Sequence, residues 1–213
     1  MIRRNTVKTM RCSTWNSTLQ PGRISYDMPG IFFISGPCGC GKTTLADAYA
    51  KHLARQGQKT VYVIHGDDFH RGFTEPDSKP DFFPEGRASD QVLWEDILRF
   101  NWDCIIATAD RALRQDLDVV IDYVIEDELP RVQALAVKYH VALYYIVLTA
   151  DADEIERRIR RRGDTDMIAR ALFLKEKLEG LPENQGHLYN NTGKTPEEVI
   201  REIVPAQYMV QLP

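Results

Sequence analysis

Gly36-Pro37-Cys38-Gly39-Cys40-Gly41-Lys42-Thr43-Thr44 fits G-x-x-x-x-G-K-[ST], the spacing of a phosphate-binding loop. Its flanks agree with its spelling. Ile31-Phe32-Phe33-Ile34-Ser35 before it is a continuous apolar run of the kind that forms a strand buried on both faces. Leu45 to Leu53 after it carries apolar residues at helical spacing and ends before Gly57. Strand, glycine-rich loop and helix in that order have one physical logic. Glycines let the backbone wrap closely round phosphates, and the helix N-terminus turns free N–H groups toward negative charge. Lys42 is placed to reach the outer phosphates, and the Thr43 hydroxyl to hold Mg²⁺. A bound nucleotide is the expectation, with residues 36 to 44 as its cradle.

The rest of the chain repeats the strand–helix alternation. Thr60–Ile64, Asp118–Ile125 and Val141–Leu148 read as further buried strands, and residues 90–115 and Leu129–Tyr139 as helices. This predicts an α/β protein, with helices on both faces of a five-stranded parallel sheet and a small helical lid. The aromatic side chains Trp94, Phe100 and Trp102 are expected in the core.

In open parallel sheets, ligands bind beyond the C-terminal ends of the strands. His65-Gly66-Asp67-Asp68-Phe69-His70 stands at such an end, a dense set of ionisable groups. The carboxylates Asp67 and Asp68, with His70 beside them, can orient a substrate hydroxyl, accept its proton, or hold Mg²⁺ through water. Residues 71–89 are punctuated by Pro and Gly and hold Arg71, Lys79 and Arg87, cations suited to an anionic substrate. Asp122 emerges from a run of β-branched residues and is expected to support Mg²⁺ together with Thr43. Ala152 to Arg162 opens with acids and closes with arginines, and a second helix carrying Arg170 follows the Gly163 turn. Arg158, Arg162 and Arg170 are spaced to share a face and clamp phosphates during transfer. Thr195-Pro196-Glu197-Glu198 is a helix start, with the loop at Asn191 returning toward the sheet to meet a base.

Composition narrows the class. With 27% charged and 43% hydrophobic residues in 213, the chain reads as one soluble domain, and no apolar run has the length of a membrane span. Net charge is −4, which speaks against nucleic acid as the main partner. The distribution is uneven. Residues 1–26 hold five cations and no acid, leaving −9 for the remainder. Residues 1–29 are therefore expected to be a basic tail, 30–206 the folded domain and 207–213 a C-terminal tail. Within the domain, 65–100 is expected to bind the acceptor and 151–180 to form the lid. Cys12, Cys38, Cys40 and Cys104 offer no disulfide framework or zinc spacing, so a reducing cytoplasm is expected, with a monomer or homodimer as the assembly.

The order of these motifs, with Asn191-Thr192-Gly193-Lys194-Thr195-Pro196 as the last, resembles the small phosphate-loop kinases of the shikimate kinase, gluconate kinase and chloramphenicol phosphotransferase group. The resemblance covers about residues 31–204 in layout. His65-Gly66-Asp67 with His70 is similar to the Asp-Gly-Asp…His turn of gluconate kinases, with His65 in place of the first Asp. By that resemblance Asp67 contacts the substrate hydroxyl, Arg162 is the lid arginine and the Asn191 region is the adenine loop. Tyr123-Val124-Ile125 replaces the triple-glycine motif of shikimate kinases, and the gluconate kinase pattern stops after His70. The implied activity is transfer of the γ-phosphoryl group of ATP, with Mg²⁺, to a small-molecule hydroxyl: a sugar acid, a polyol or an antibiotic-like acceptor. A nucleoside or nucleotide kinase, or a non-catalytic ATP-binding regulator, would use the same scaffold.

Overall fold

A computed structural model of the chain describes residues 30–73 and 93–212. The sequence expectations for residues 1–29 and for Lys79 and Arg87 lie outside the described residues. Five parallel strands form one sheet: β1 (Gly30–Ser35), β2 (Val61–His65), β3 (Asp118–Asp122), β4 (Ala142–Thr149) and β5 (Leu188–Asn190), in the order β2-β3-β1-β4-β5. The helices are α1 (Lys42–Gly57), the short α2 (Asp67–His70), α3 (Trp94–Leu113), α4 (Leu129–Tyr139), α5 (Ala152–Arg162), α6 (Ile168–Gly180) and α7 (Pro196–Glu202).

Strand periodicity explains the three layers. Side chains alternate across a strand, so Ile31 and Phe33 of β1 join one core, with Trp102 and Ile105 of α3 and Val132 of α4. Phe32 and Ile34 of the same strand join the other core, with Leu45 and Tyr49 of α1 and Val199 of α7. The same split runs along β4, Leu143 and Tyr145 facing one way, Tyr144 and Ile146 the other. A central strand sandwiched between helices must be apolar at every position, which is why β1 reads as an unbroken hydrophobic run.

Three sequence expectations need correction. β2 is an edge strand with Tyr62 45% exposed, because only β3 pairs with it among the described residues. Phe100 is exposed and meets Phe73 edge-on at 5.1 Å, whereas Trp102 is buried as expected against Phe33. Residues 207–212, expected as a C-terminal tail, begin inside ordered structure. Pro205–Tyr208 forms a 3-10 turn, Met209 bridges Tyr144, and the Val210 N–H donates to Leu143 O at 2.8 Å.

Where the expectations held, local chemistry suffices to explain it. At α7 the Thr195 side chain accepts from Glu198 N–H while the Glu198 carboxylate accepts from Thr195 N–H, a complete capping box with Pro196 at the first turn. α4 occupies the predicted residues. No helix among the described residues is long and apolar enough to cross a membrane.

Candidate active site

Residues 36–41 link the C-terminal end of β1 to the N-terminus of α1. The turn needs Gly36, whose φ is +140° and whose missing Cβ would fall 2.3 Å from Leu148 O. Close packing continues along the loop, for Arg158 and Asn191 both donate to Cys40 O, at 3.1 and 2.7 Å. Cys40 itself is buried in the sheet core, and that burial pushes its thiol pKa up. It acts as a small packing residue.

Lys42 opens α1 and donates from Nζ to Pro37 O at 3.1 Å. Burial alone would lower its pKa, but Cys40, Cys38, Asp67 and Asp122 together raise it, so the ammonium is held charged. Next to it, the Thr43 hydroxyl donates to Asp122 Oδ2 at 2.7 Å. Asp122 ends β3 and is 4% exposed. Its other oxygen is held by His65 Nδ1 at the end of β2, and His65 Nε2 lies 3.4 Å from Asp47 Oδ1 on α1. Burial opposes a charged imidazole here, but Asp122 and Asp47 raise the His65 pKa above its ordinary value. The Thr43–Asp122 pair was expected from the sequence. The His65–Asp122–Asp47 link was not, and its signal is the register pairing of His65 with Asp122 across β2 and β3.

Beyond β2, Gly66 brings its backbone against the Tyr123 ring, where a Cβ would come within 2.3 Å of Cδ2. This close approach sets α2 directly over the end of β3. Asp67 and Asp68 are exposed, and Asp68 pairs with Arg71 at 2.6 Å. His70 turns inward instead. The fully buried Asn101 of α3 places Nδ2 3.1 Å from His70 Nδ1 and 2.8 Å from the Tyr123 hydroxyl. Burial lowers the His70 pKa and raises that of Tyr123 to about 12, so both groups stand neutral. Asn101 Oδ1 is buried without a partner among the described residues. This Asn101–Tyr123–His70 cluster also escaped sequence reasoning, since a lone Asn within an amphipathic helix gives no signal of its own.

The arginines expected to act as one clamp each have different partners. Arg158 is tied to Glu154, Cys40 O and both the side-chain and main-chain oxygens of Asn191. Arg162 pairs with Asp164 in the following turn, at 3.2 Å. Arg170 crosses to Glu126, beyond the end of β3, where Lys177 also pairs. The foot of α5 rests on the phosphate loop through apolar contact as well, with Cys38 packed against the cluster of Ile155, Ile159 and Ala171. Between loop, α5 and α7 lies a cavity of about 320 Å³, lined by Gly41, Thr44, Arg158, Asn191, Gly193 and Pro196 among others.

Glu154 fastens this corner. Hydrogen bonds from Arg157 and, next, Arg158 hold its pKa down to about 2, against an ordinary 4.5. A depressed carboxylate stabilises the fold above its unfolded pKa and stops doing so as pH falls through the folded one. The thermal stability advantage of the native chain over Glu154→Gln is therefore expected in full near about pH 6 and to shrink steadily between 4.5 and about 2. Melting curves of both proteins across that window check it.

A family model described as an AAA domain matches residues 32–181. No curated protein matches the chain by sequence. Among solved structures, the chain is similar to the APS kinase of Mycobacterium tuberculosis in complex with AMPPNP and APS: 14% identity, 82% of this chain and 95% of that one, TM-score 0.56. It is similar to the tunicamycin resistance protein of Deinococcus radiodurans, at 17% identity over 87% of this chain and 99% of that one, TM-score 0.54. A gluconokinase from Sinorhizobium meliloti 1021 aligns at 19% identity over 85% of this chain and 92% of that one, TM-score 0.52. At these identities the likeness is one of fold, and the fold is the expected three-layer arrangement of phosphate-loop kinases.

Proposed function

Because the chain belongs to the AAA domain family whose model spans residues 32–181, we propose that it is an ATP-dependent phosphotransferase acting on the hydroxyl of a small molecule. One observation carries this reading: at the head of α1, Lys42 Nζ is held on the loop by Pro37 O at 3.1 Å, and the adjoining Thr43 hydroxyl donates to the buried Asp122 at 2.7 Å. The lysine that would grip the outer phosphates thus stands beside the hydroxyl and carboxylate that would support the metal. The kinases among the structural neighbours support the same class of chemistry.

In this reading the phosphates lie on residues 36 to 44, and the base enters the cavity beside Asn191 and Arg158. Lys42 neutralises charge on the transferring group, and Arg162, released from Asp164, closes over it from the lid. Asp67 orients the acceptor hydroxyl and takes up its proton, flanked by Asp68 and His70, with Arg87 and Arg170 as further acceptor contacts.

The donor set also fits a particular kind of metal. Among the described residues no three His, Cys, Asp or Glu side chains form a cage. A hydroxyl backed by a carboxylate, Thr43 on Asp122, suits Mg²⁺ held largely by phosphates and water. When bound there, Mg²⁺ supplies charge neutralisation across the outer phosphates.

The test is ATP consumption by the full chain across sugar acids, polyols, nucleosides, nucleotides and aminoglycoside or phenicol antibiotics. Turnover with one of the non-nucleoside acceptors supports the proposal. Turnover confined to nucleosides or nucleotides would replace it with a nucleoside or nucleotide kinase. Tight ATP binding with every acceptor inert would make the protein a regulator. With the acceptor in hand, Asp67→Asn is expected to lower kcat by about 10²–10⁴-fold while ATP binding holds. Near-normal turnover in that variant would remove Asp67 from the mechanism.

A further inference from the structure

Asp122 divides its two oxygens between two elements. Oδ2 accepts the Thr43 hydroxyl at 2.7 Å, and Oδ1 is bound by His65 Nδ1. An ionised carboxylate can only accept, so both partners must donate and the proton sits on His65 Nδ1. The arrangement is built into the sheet, for His65 and Asp122 are register partners, and Gly66 N–H donates to the Asp122 main-chain oxygen at 3.0 Å. His65 Nε2, 3.4 Å from Asp47 Oδ1, links the same ring to α1 one turn beyond Thr43. One imidazole thus links the edge strand β2, its neighbour β3 and the helix of the phosphate loop.

The consequence falls on Thr43. A hydroxyl has one proton and two lone pairs. While its proton is committed to Asp122, its lone pairs are directed away from that carboxylate, as a hydroxyl needs when it ligates a hard cation. The commitment lasts only while Asp122 keeps Oδ2 toward Thr43. The terminal torsion of Asp is broad and roughly two-fold, so the rotamer alone does not hold it. His65 does, by fixing Oδ1.

We propose that His65 is a positioning residue which, through Asp122, fixes the Thr43 hydroxyl and thereby sets how strongly Mg²⁺ assists nucleotide binding. This rests on the nucleotide site proposed above but requires neither the acceptor nor turnover. Outer partners of this kind are worth about 10–100-fold in metal affinity. A purely structural His65, tying the edge strand β2 to β3, would change stability and leave the metal effect alone.

Calorimetric titration of the full chain with a non-hydrolysable ATP analogue, once in Mg²⁺ and once in EDTA, separates the two. The quantity read is the ratio of the two Kd values. His65→Ala is expected to cut that ratio about tenfold or more while moving the EDTA Kd little. His65→Asn, whose amide N–H takes the place of Nδ1–H, is expected to restore it. A His65→Ala protein that melts earlier yet keeps the native ratio overturns the proposal, as does an Asn variant that fails to differ from Ala. Should His65→Ala not fold, His65→Gln, whose amide sits one methylene too far out, gives the same contrast with Asn. A native chain with no affinity for the analogue in either buffer would overturn the nucleotide site itself. Normal affinity with an unmoved ratio would overturn only the role of His65.

Discussion

Lys42→Met is expected to lower phosphoryl transfer by about 10³-fold while the protein keeps its fold. The substitution retains an unbranched apolar stem of similar length and removes only the ammonium. What the folded chain loses is one hydrogen bond, from Nζ to Pro37 O at 3.1 Å, and a cation in the field of Asp67 and Asp122. What the transition state loses is larger. Charge spreads over the transferring oxygens, and in the proposed mechanism the Lys42 ammonium at the head of α1 neutralises it. Lys42→Arg keeps a charge but replaces a compact donor with a planar fork too broad for a site this close-packed, so little rescue is expected. The measurement is steady-state kinetics with the acceptor found by the panel, alongside thermal melts and analogue binding. A kcat within about tenfold of native would exclude Lys42 from a transition-state role.

What could be read from sequence, and what could not, divides along the range of the interactions involved. The phosphate loop, the strand before it and the capping box at Thr195 depend on neighbours a few residues away, so their patterns are complete within the chain segment. The edge position of β2 is different. Val61-Tyr62-Val63-Ile64 is as apolar as a central strand, and only the order of strands in space leaves Tyr62 at the surface. The helical pattern from Trp94 to Leu113 shows that one face is buried without saying which aromatic lies on it. Trp102 is on that face and Phe100 is not.

The site follows the same division. Thr43 and Asp122, 79 residues apart, could be paired in advance because a buried acid at a strand end needs a donor and the phosphate loop offers one. His65 could not be joined to them without knowing that β2 lies beside β3. The arginines of α5 show a second limit. Spacing places Arg158 and Arg162 one helical turn apart, but the acids that capture them, Glu154 and Asp164, decide where each guanidinium rests. Long cationic side chains are directed by partners that periodicity does not reveal.

Gly36→Ala is expected to be the most damaging single-atom-scale change in the chain, and it damages fold and nucleotide binding together. Two penalties coincide at this position. The backbone is at φ +140°, which L side chains rarely adopt. The added Cβ would also lie 2.3 Å from Leu148 O and 2.8 Å from Cys40 Sγ, and neither neighbour is a flexible side-chain end. Leu148 belongs to β4, where it is paired with Tyr189 of β5, and Cys40 is fully buried. Relief must therefore come from the loop itself, by moving Cys40 and with it the carbonyl that Arg158 and Asn191 grip. Strain and overpacking of this kind cost roughly 2–4 kcal/mol, or a fall in Tm of about 5–15 °C for a domain of this size. Gly66→Ala separates the two halves of the site by comparison. Its φ of −60° is ordinary, and its clash is with the Tyr123 ring, on the Asp67 side. Gly36→Ala should thus abolish analogue binding, whereas Gly66→Ala should retain it and weaken acceptor binding. Equal loss of analogue affinity in both variants would mean that the two ends of the site are not independently built.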